Sequence, residues 1–186
     1  MIEKHLPMEE KNIIEILVAR NGDIEKIQKL IAKSSKGMYK LCGWSDEEID
    51  NHFTEVKIEE GIKKFKEVFK DFSDSDILLV AKNDNSKIVG FCLAEKLDNI
   101  NRIEAIYILP EFQNQGIATK LFTETYKRFD ANHDTYLEVF SLNSKAIKFY
   151  KKLGFIETGK IINETKFTDK TGQMLQETEM VLPGRN

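Results

Sequence analysis

The residues with the best claim to chemistry lie where a strand-like run meets a proline: Ile103-Glu104-Ala105-Ile106-Tyr107-Ile108-Leu109-Pro110-Glu111-Phe112, then Gln113-Asn114-Gln115-Gly116-Ile117-Ala118. A strand halted by Pro110, a short loop and a helix opening at a glycine leave successive backbone N–H groups without intrahelical acceptors, at the positive end of the helix dipole. Such a terminus suits a diphosphate, and Gly116 lets a phosphate approach the backbone closely. On these residues alone an ordinary strand-to-helix turn explains the pattern equally well.

A second segment changes that balance. Leu137-Glu138-Val139-Phe140-Ser141-Leu142-Asn143 leads into Ser144-Lys145-Ala146-Ile147-Lys148-Phe149-Tyr150-Lys151-Lys152-Leu153-Gly154-Phe155. Asn143, Ala146 and Tyr150 stand at i, i+3 and i+7, on one face of a helix. Together the two segments resemble the GNAT superfamily of acyl-CoA-dependent N-acetyltransferases. That family's fingerprint is a Gln or Arg, two residues, Gly, one residue, then Gly or Ala after a strand, with Asn, Ala, Tyr and Gly-Phe downstream. Val18 to Ile31 is also similar to the family's first strand and helix, so the resemblance covers most of the chain. Ala118 stands where glycine is commonest and is a tolerated variant.

The resemblance implies a single α/β domain with a mixed, mostly antiparallel central sheet and helices on both faces, and acetyl-CoA as cosubstrate. It implies that backbone groups of Ile106, Tyr107 and Ile108 pair with the pantetheine arm, because neighbouring strands of this fold splay apart and the cofactor amides fill the gap like an added strand. The loop from Gln113 onward, with the amides of Asn114, Gln115, Gly116, Ile117, Ala118 and Thr119, would hold the diphosphate. Asn143 would hydrogen-bond the pantetheine beside Ala146, and Tyr150 would face the thioester sulfur. The plain alternative for Tyr150 is a core aromatic beside Phe149 and Phe155.

Amine acetylation makes three demands. A lysine-like amine with pKa ~10.4 reaches its reactive form at pH 7 at a cost of about 4.6 kcal/mol, so a group must accept its proton. The oxyanion of the attacked carbonyl needs a donor, which a strand N–H near Ile106 to Ile108 supplies. The leaving thiolate, pKa ~8.5, is mismatched to a tyrosine of pKa ~10 by roughly 2 kcal/mol, a gap a positioned hydrogen bond can offset. For the base, Glu104 and Glu138 are the candidates. Strand alternation places Glu104 on the face of Ile106 and Ile108, Glu138 lies in the next strand before Asn143, and both positions carry a proton-accepting Glu in some relatives. An ion pair with a neighbour such as Arg102 explains either glutamate as well. Cys92 has no nearby histidine in sequence to activate it, and direct transfer needs no covalent nucleophile.

The elements that must position these groups follow from periodicity. Ile13 to Ala19 reads as a buried strand, closed by Asn21-Gly22-Asp23, and the next helix keeps Ile24, Ile27, Leu30 and Ile31 on one face. A loop is expected from Lys33 through Gly37 and Gly43. Ser45-x-x-Glu48 matches a capping box for a second helix, and Ile58, Ile62, Phe65 and Phe69 mark a third over Val56 to Phe69. Strands follow at Ile77 to Lys82, Ile88 to Lys96 and Ile103 to Leu109, then a helix over Gly116 to Phe129, a strand over Tyr136 to Phe140 and a helix over Ser144 to Leu153. Phe155 to Ile162 and Met174 to Leu182 form a closing hairpin around a polar excursion, Asn163 to Gln173. The acceptor-side region is expected at about 1–75, the acetyl-CoA-binding core at about 76–160 and the hairpin at about 155–182.

Composition bounds the rest. The 186 residues, 41% hydrophobic, carry 28 Lys plus Arg against 31 Asp plus Glu, a net charge of −3. That is one compact domain with a real core, without the basic surface that nucleic acid or an anionic membrane favours. Cys42 and Cys92 form no CxxC pair, and His5, His52 and His133 share no ligand spacing, so neither a disulfide framework nor a metal is expected. No run approaches the ~20 apolar residues of a membrane span, and Met1 to His5 is too polar for a signal peptide, which makes the cytoplasm the expected compartment. Residues 1–75 hold 13 basic and 16 acidic residues, and 76–186 hold 15 of each. Asp46, Glu47, Glu48, Asp50, Glu55, Glu59 and Glu60 against Lys57 could draw a cationic amine, loosely like polyamine-type members of the superfamily, with Trp44 and Phe53 as apolar walls. Helix-capping acids on a solvated face are the competing explanation. The expected acceptor is a small amine. A protein N-terminus or lysine, or a non-catalytic acyl-CoA-binding module, are the alternatives, and an open hairpin edge would permit a homodimer.

Overall fold

In the computed structural model, which describes residues 13–185, the elements run β1 (Ile14–Val18), α1 (Ile24–Leu41), α2 (Asp46–His52), α3 (Glu55–Lys70), β2 (Asp76–Asn83), β3 (Ile88–Lys96) and β4 (Asn101–Ile108). They continue with α4 (Ile117–Tyr126), β5 (Thr135–Phe140), α5 (Ser144–Lys152), β6 (Ile156–Thr168) and β7 (Met174–Leu182). The strands form one seven-stranded sheet in the order β1-β2-β3-β4-β5-β7-β6. Every pairing is antiparallel except β4 with β5. Helix α1 packs against β3 and β4 on one face and carries α2 and α3, while α4 covers β1 to β4 on the other. Leu79, Val80, Phe91, Cys92, Leu121 and Phe155 are among the fully enclosed core side chains. The reading of Met1 to His5 lies outside the described residues.

Three expectations change. β1 is an edge strand, not a buried one: only β2 pairs with it, and Val18 is 61% exposed while Ile14 and Ile16 pack inward. Apolar alternation marks the inward face of a strand but cannot say whether a second neighbour covers it. α1 does not stop after Lys33; it passes through Gly37 to Leu41. A mid-helix glycine costs only about 1 kcal/mol, and Gly43 at φ 84, just past the end, provides the left-handed stop. The polar stretch after Asn163 is mostly strand, since β6 runs to Thr168 and turns only at Asp169 to Gly172. Polar residues are tolerated there because β6 is the outer strand of the sheet.

The start of α1 is fixed by a buried ion pair. Asp23 accepts a hydrogen bond from the Arg20 N–H at 3.0 Å and from Lys82 Nζ at 3.0 Å. Burial alone would raise its pKa, but the Arg20 N–H and Lys82 outweigh it and the carboxyl is held below the usual value. The second helix opens as the sequence expects: Ser45 Oγ accepts from Glu48 N, and the Glu48 side chain accepts from Ser45 N at 2.6 Å.

Candidate active site

The site begins with a strand pair that parts. β4 and β5 are in register over only three rungs, Asn101↔Thr135, Arg102↔Tyr136 and Ile103↔Leu137. Beyond them both strands continue, β4 to Ile108 and β5 to Phe140, without pairing to each other. Where they diverge, β4 carries a bulge: Leu93 faces Ala105 and Ala94 faces Ile103, so Glu104 is the extra residue. A bulge sharpens the local twist and bends its strand, which helps swing β4 away from β5.

The bulge also corrects the expected direction of Glu104. A Cβ on Gly90 would meet Ile108 Cδ1 and Leu121 Cδ1 of α4, so Ile108, and by alternation Ile106, lie on the α4 face. Glu104 instead lies 3.7 Å from the guanidinium of Arg102, on the opposite face from Ile103, and the same guanidinium is 3.5 Å from Glu138. The extra residue breaks the alternation that would have put Glu104 with Ile106 and Ile108. Both candidate bases therefore converge, one from each strand, on Arg102 at the vertex of the gap.

Backbone direction can be followed along β4. Leu109 donates its N–H to Val89 across β3, so by alternation the N–H and C=O of Ile108 and Ile106 turn to the gap, while those of Tyr107 turn to β3. The Ile108 carbonyl accepts from Ser34 Oγ of α1 at 3.2 Å and from Gln113 Nε2 at 3.3 Å. Gln113 thus braces the end of β4, an assignment the sequence did not make.

From Ile108 the chain passes through a single 3-10 turn, Pro110–Phe112, into the loop Gln113 to Gly116. Asn114 at φ 61 and Gly116 at φ 77 both adopt the left-handed conformation, and Gly116 caps α4 with no side-chain hydrogen bond to the helix amides. Lys120 is the first residue to donate back along this helix, to the Gly116 carbonyl. Gln115, Gly116 and Thr119 are exposed and Ile117 is buried, so the terminus is anchored from below and open above. Outward-pointing amides at the positive end of a ten-residue helix suit an anion.

Asn143 caps α5, its Oδ1 accepting from Ala146 N at 3.1 Å. That leaves the NH₂ as the end of the side chain able to donate elsewhere. Tyr150 is buried against Phe149 and Phe155, with ring centroids 5.1 and 5.6 Å away. Burial pushes its phenol well above the ordinary tyrosine value, reinforced by Cys92 and Tyr107, so the hydroxyl stays protonated. Burial likewise raises the Cys92 thiol to about 12, which removes it as a thiolate nucleophile near neutrality. Tyr107 stacks on Phe91 at 5.5 Å with Ser35 beside its hydroxyl, and its pKa is raised by burial, with Glu177 adding to the rise. Glu177 lies on β7, opposite Phe140, one strand beyond the gap and on the same sheet face as Glu138. No local motif marks it, because strand pairing alone brings it there. Among the described residues no group of three or more His, Cys, Asp or Glu is placed to hold a metal ion, and no helix is long and apolar enough to cross a membrane.

A mixed sheet parted beside an uncapped helix terminus defines an α/β domain of the acyl-CoA-binding type. The chain belongs to the acetyltransferase (GNAT) family, whose model matches residues 45–155. It is 31% identical over 97 residues to the uncharacterized N-acetyltransferase ycf52 of Pyropia yezoensis, a match covering 52% of this chain and 55% of that protein. The matched region thus spans about half the length of that relative. The fold is similar to the ribosomal-protein-S18-alanine N-acetyltransferase of Escherichia coli, with a TM-score of 0.67 and 19% identity over 94% of this chain and 96% of that one. It is also similar to the PaiA N-acetyltransferase of Thermoplasma acidophilum in complex with coenzyme A, with a TM-score of 0.63 and 24% identity over 89% and 98% of the two chains.

Proposed function

We propose that this chain transfers an acetyl group from acetyl-CoA directly to the primary amine of a small molecule. One observation carries the reading: the parted β4 and β5, with the Ile106 and Ile108 backbone turned into the gap, lead through one 3-10 turn and a short loop into the uncapped start of α4. The first feature fits an amide-bearing arm and the second its diphosphate, in the order in which acetyl-CoA carries them. The amides of Asn114 to Thr119 hold the diphosphate, the backbone of Ile106 and the N–H of Ile108 pair with the pantetheine, and the Asn143 NH₂ donates to the same arm.

In the transfer the neutral amine nitrogen bonds to the acetyl carbon, the carbon–sulfur bond breaks with its electron pair leaving on the CoA sulfur, and the second proton shed by the nitrogen goes to that sulfur, giving the amide and the CoA thiol. Glu104 or Glu138 takes the ammonium proton, directly or through a water, with Arg102 holding the two carboxylates at the vertex. Tyr150 donates a hydrogen bond to the departing sulfur. Because burial raises its pKa, full proton transfer is more uphill than the roughly 2 kcal/mol of an ordinary tyrosine, so stabilisation by the hydrogen bond is the larger part of its work.

The test is incubation with acetyl-CoA and a panel of amines, following CoA release and the acetylated product by mass spectrometry. Glu104→Gln or Glu138→Gln, whichever carboxylate is the base, should lower kcat by about 10²-fold or more and flatten the rise of rate with pH. Unchanged profiles in both variants would remove the pair from proton transfer. Product only on peptides would move the acceptor to a protein.

A further inference from the structure

Each of the two parted strands hands on to another element. At the end of β4, Ser34 of α1 donates to the Ile108 carbonyl at 3.2 Å and Lys33 pairs with Glu111 at 2.7 Å. From Ser34, α1 runs on roughly 10 Å to Leu41 before the chain turns at Gly43. At the end of β5, Phe140 pairs with Glu177 and Ser141 donates its N–H to the Gln176 carbonyl. Past that rung the hairpin of β7 and β6 continues to a tip at Asp169 to Gly172.

The two extensions meet. A Cβ on Gly43 would lie 3.3 Å from both Cδ and Cε of Lys170, so the Lys170 stem passes directly over the glycine. Two charge effects agree with this contact. Burial raises the Cys42 thiol and Asp169 adds to the rise, while Glu48, lowered chiefly by its bond from Ser45, is lowered further by Lys170. The tip itself is braced, because Asp169 Oδ1 accepts from Thr171 N at 2.8 Å, from Thr171 Oγ1 at 2.6 Å and from Gln173 N at 3.0 Å. A turn tied in this way presents Lys170 in a fixed direction. β4, α1, Gly43, Lys170, the hairpin and β5 thus close a ring with the gap at its base. The ring meets α1 on its own side of the sheet, whereas α4 lies on the other face.

We infer that the Lys170 side chain across Gly43 determines acceptor specificity: the ring admits an amine on a small molecule to the gap and turns away a lysine within a polypeptide. This rests on the acetyltransferase reading above and concerns which acceptors reach that site. A small molecule passes inside a ring, but a continuous chain stays outside it. A lysine stem is shorter than the length of α1 that separates Gly43 from Ile108, so it does not deliver its amine from there. The closure is one side chain over a glycine, and removing it opens the ring while the sheet and the start of α4 keep their contacts.

The experiment measures kcat/KM, with acetyl-CoA saturating, for the best small amine of the panel and for a short peptide with a blocked N-terminus and one central lysine. The wild-type protein should favour the small amine at least about tenfold. Lys170→Ala, and Asp169→Ala, which unties the tip, should each raise the peptide value about tenfold or more, with the small-amine value within about threefold and the Kd for acetyl-CoA within about twofold. Trp44, the only tryptophan of the chain, adjoins Gly43, so its fluorescence quenching by acrylamide should rise in both variants. Use of the peptide by the wild type as readily as the small amine, or a Lys170→Ala variant with unaltered peptide kinetics or unaltered quenching, would overturn the inference while CoA release still supported acetyl transfer. Failure of every small amine, or absence of acetyl-CoA binding, would instead defeat the reading of the preceding section, and this inference with it.

Discussion

Tyr150→Phe is expected to lower kcat by about 10²-fold while leaving the Kd for acetyl-CoA within about twofold. The substitution removes one oxygen and nothing else. The ring keeps its contacts with Phe149 and Phe155, so α5 stays in place, and Asn143 continues to cap it. What is lost is a donor that burial holds in its protonated form. The sign of the pH effect follows from the same cause. The folded-state pKa lies above the ordinary value of ~10, so the donor persists through that pH, and the wild-type rate should show no loss assignable to Tyr150 below it. Steady-state CoA release at saturating substrates, with calorimetry for Kd, separates the two quantities. An unchanged kcat would return Tyr150 to the role of a core aromatic.

Gly116→Ala is expected to act on the other parameter, weakening acetyl-CoA roughly 10- to 100-fold while leaving kcat at saturation nearly unchanged. The glycine has φ 77, and a Cβ placed there meets nothing within 4 Å. The free protein therefore bears only the left-handed backbone penalty of about 1–2 kcal/mol, a Tm loss of roughly 2–8 °C. The new methyl group would stand on the open side of the α4 terminus, where a diphosphate must approach the amides. Calorimetric titration of the variant at a temperature well below its Tm measures the effect. A Kd within twofold of wild type would take the α4 terminus out of the binding site.

The two variants separate what the sequence carried from what it could not. The loop from Gln113 to Ala118 and the helix from Asn143 to Tyr150 are local patterns, and their strand-loop-helix context follows from short-range chemistry: proline ends a strand, glycine takes a positive φ, asparagine caps a helix. The parting of β4 from β5 came only through family resemblance, because it depends on which strands become neighbours. The bulge at Glu104 is less legible still, since one inserted residue leaves the apolar alternation nearly intact yet turns the carboxylate to the other face. Glu177 lies 73 residues from Glu104 (177 − 104) and carries no motif. Charge counting is answered only in part by the fold: Lys36 and Lys40 lie on α1, and only the packing of α2 against that helix shows them beside Asp50 and Asp46, while Glu55, Glu59 and Glu60 stay exposed on α3. A run of acids in sequence is a site only where nothing in the fold answers it.

The central claim is that one continuous stretch, the free side of β4 followed by the start of α4, binds acetyl-CoA through its backbone. Backbone amide NMR during titration with acetyl-CoA tests this most directly. Saturable shifts are expected at Ile106, Ile108 and Asn114 to Thr119, with the amides of β1 and β2 unmoved. Saturation with those residues unperturbed, or no shift at millimolar acetyl-CoA, would contradict it.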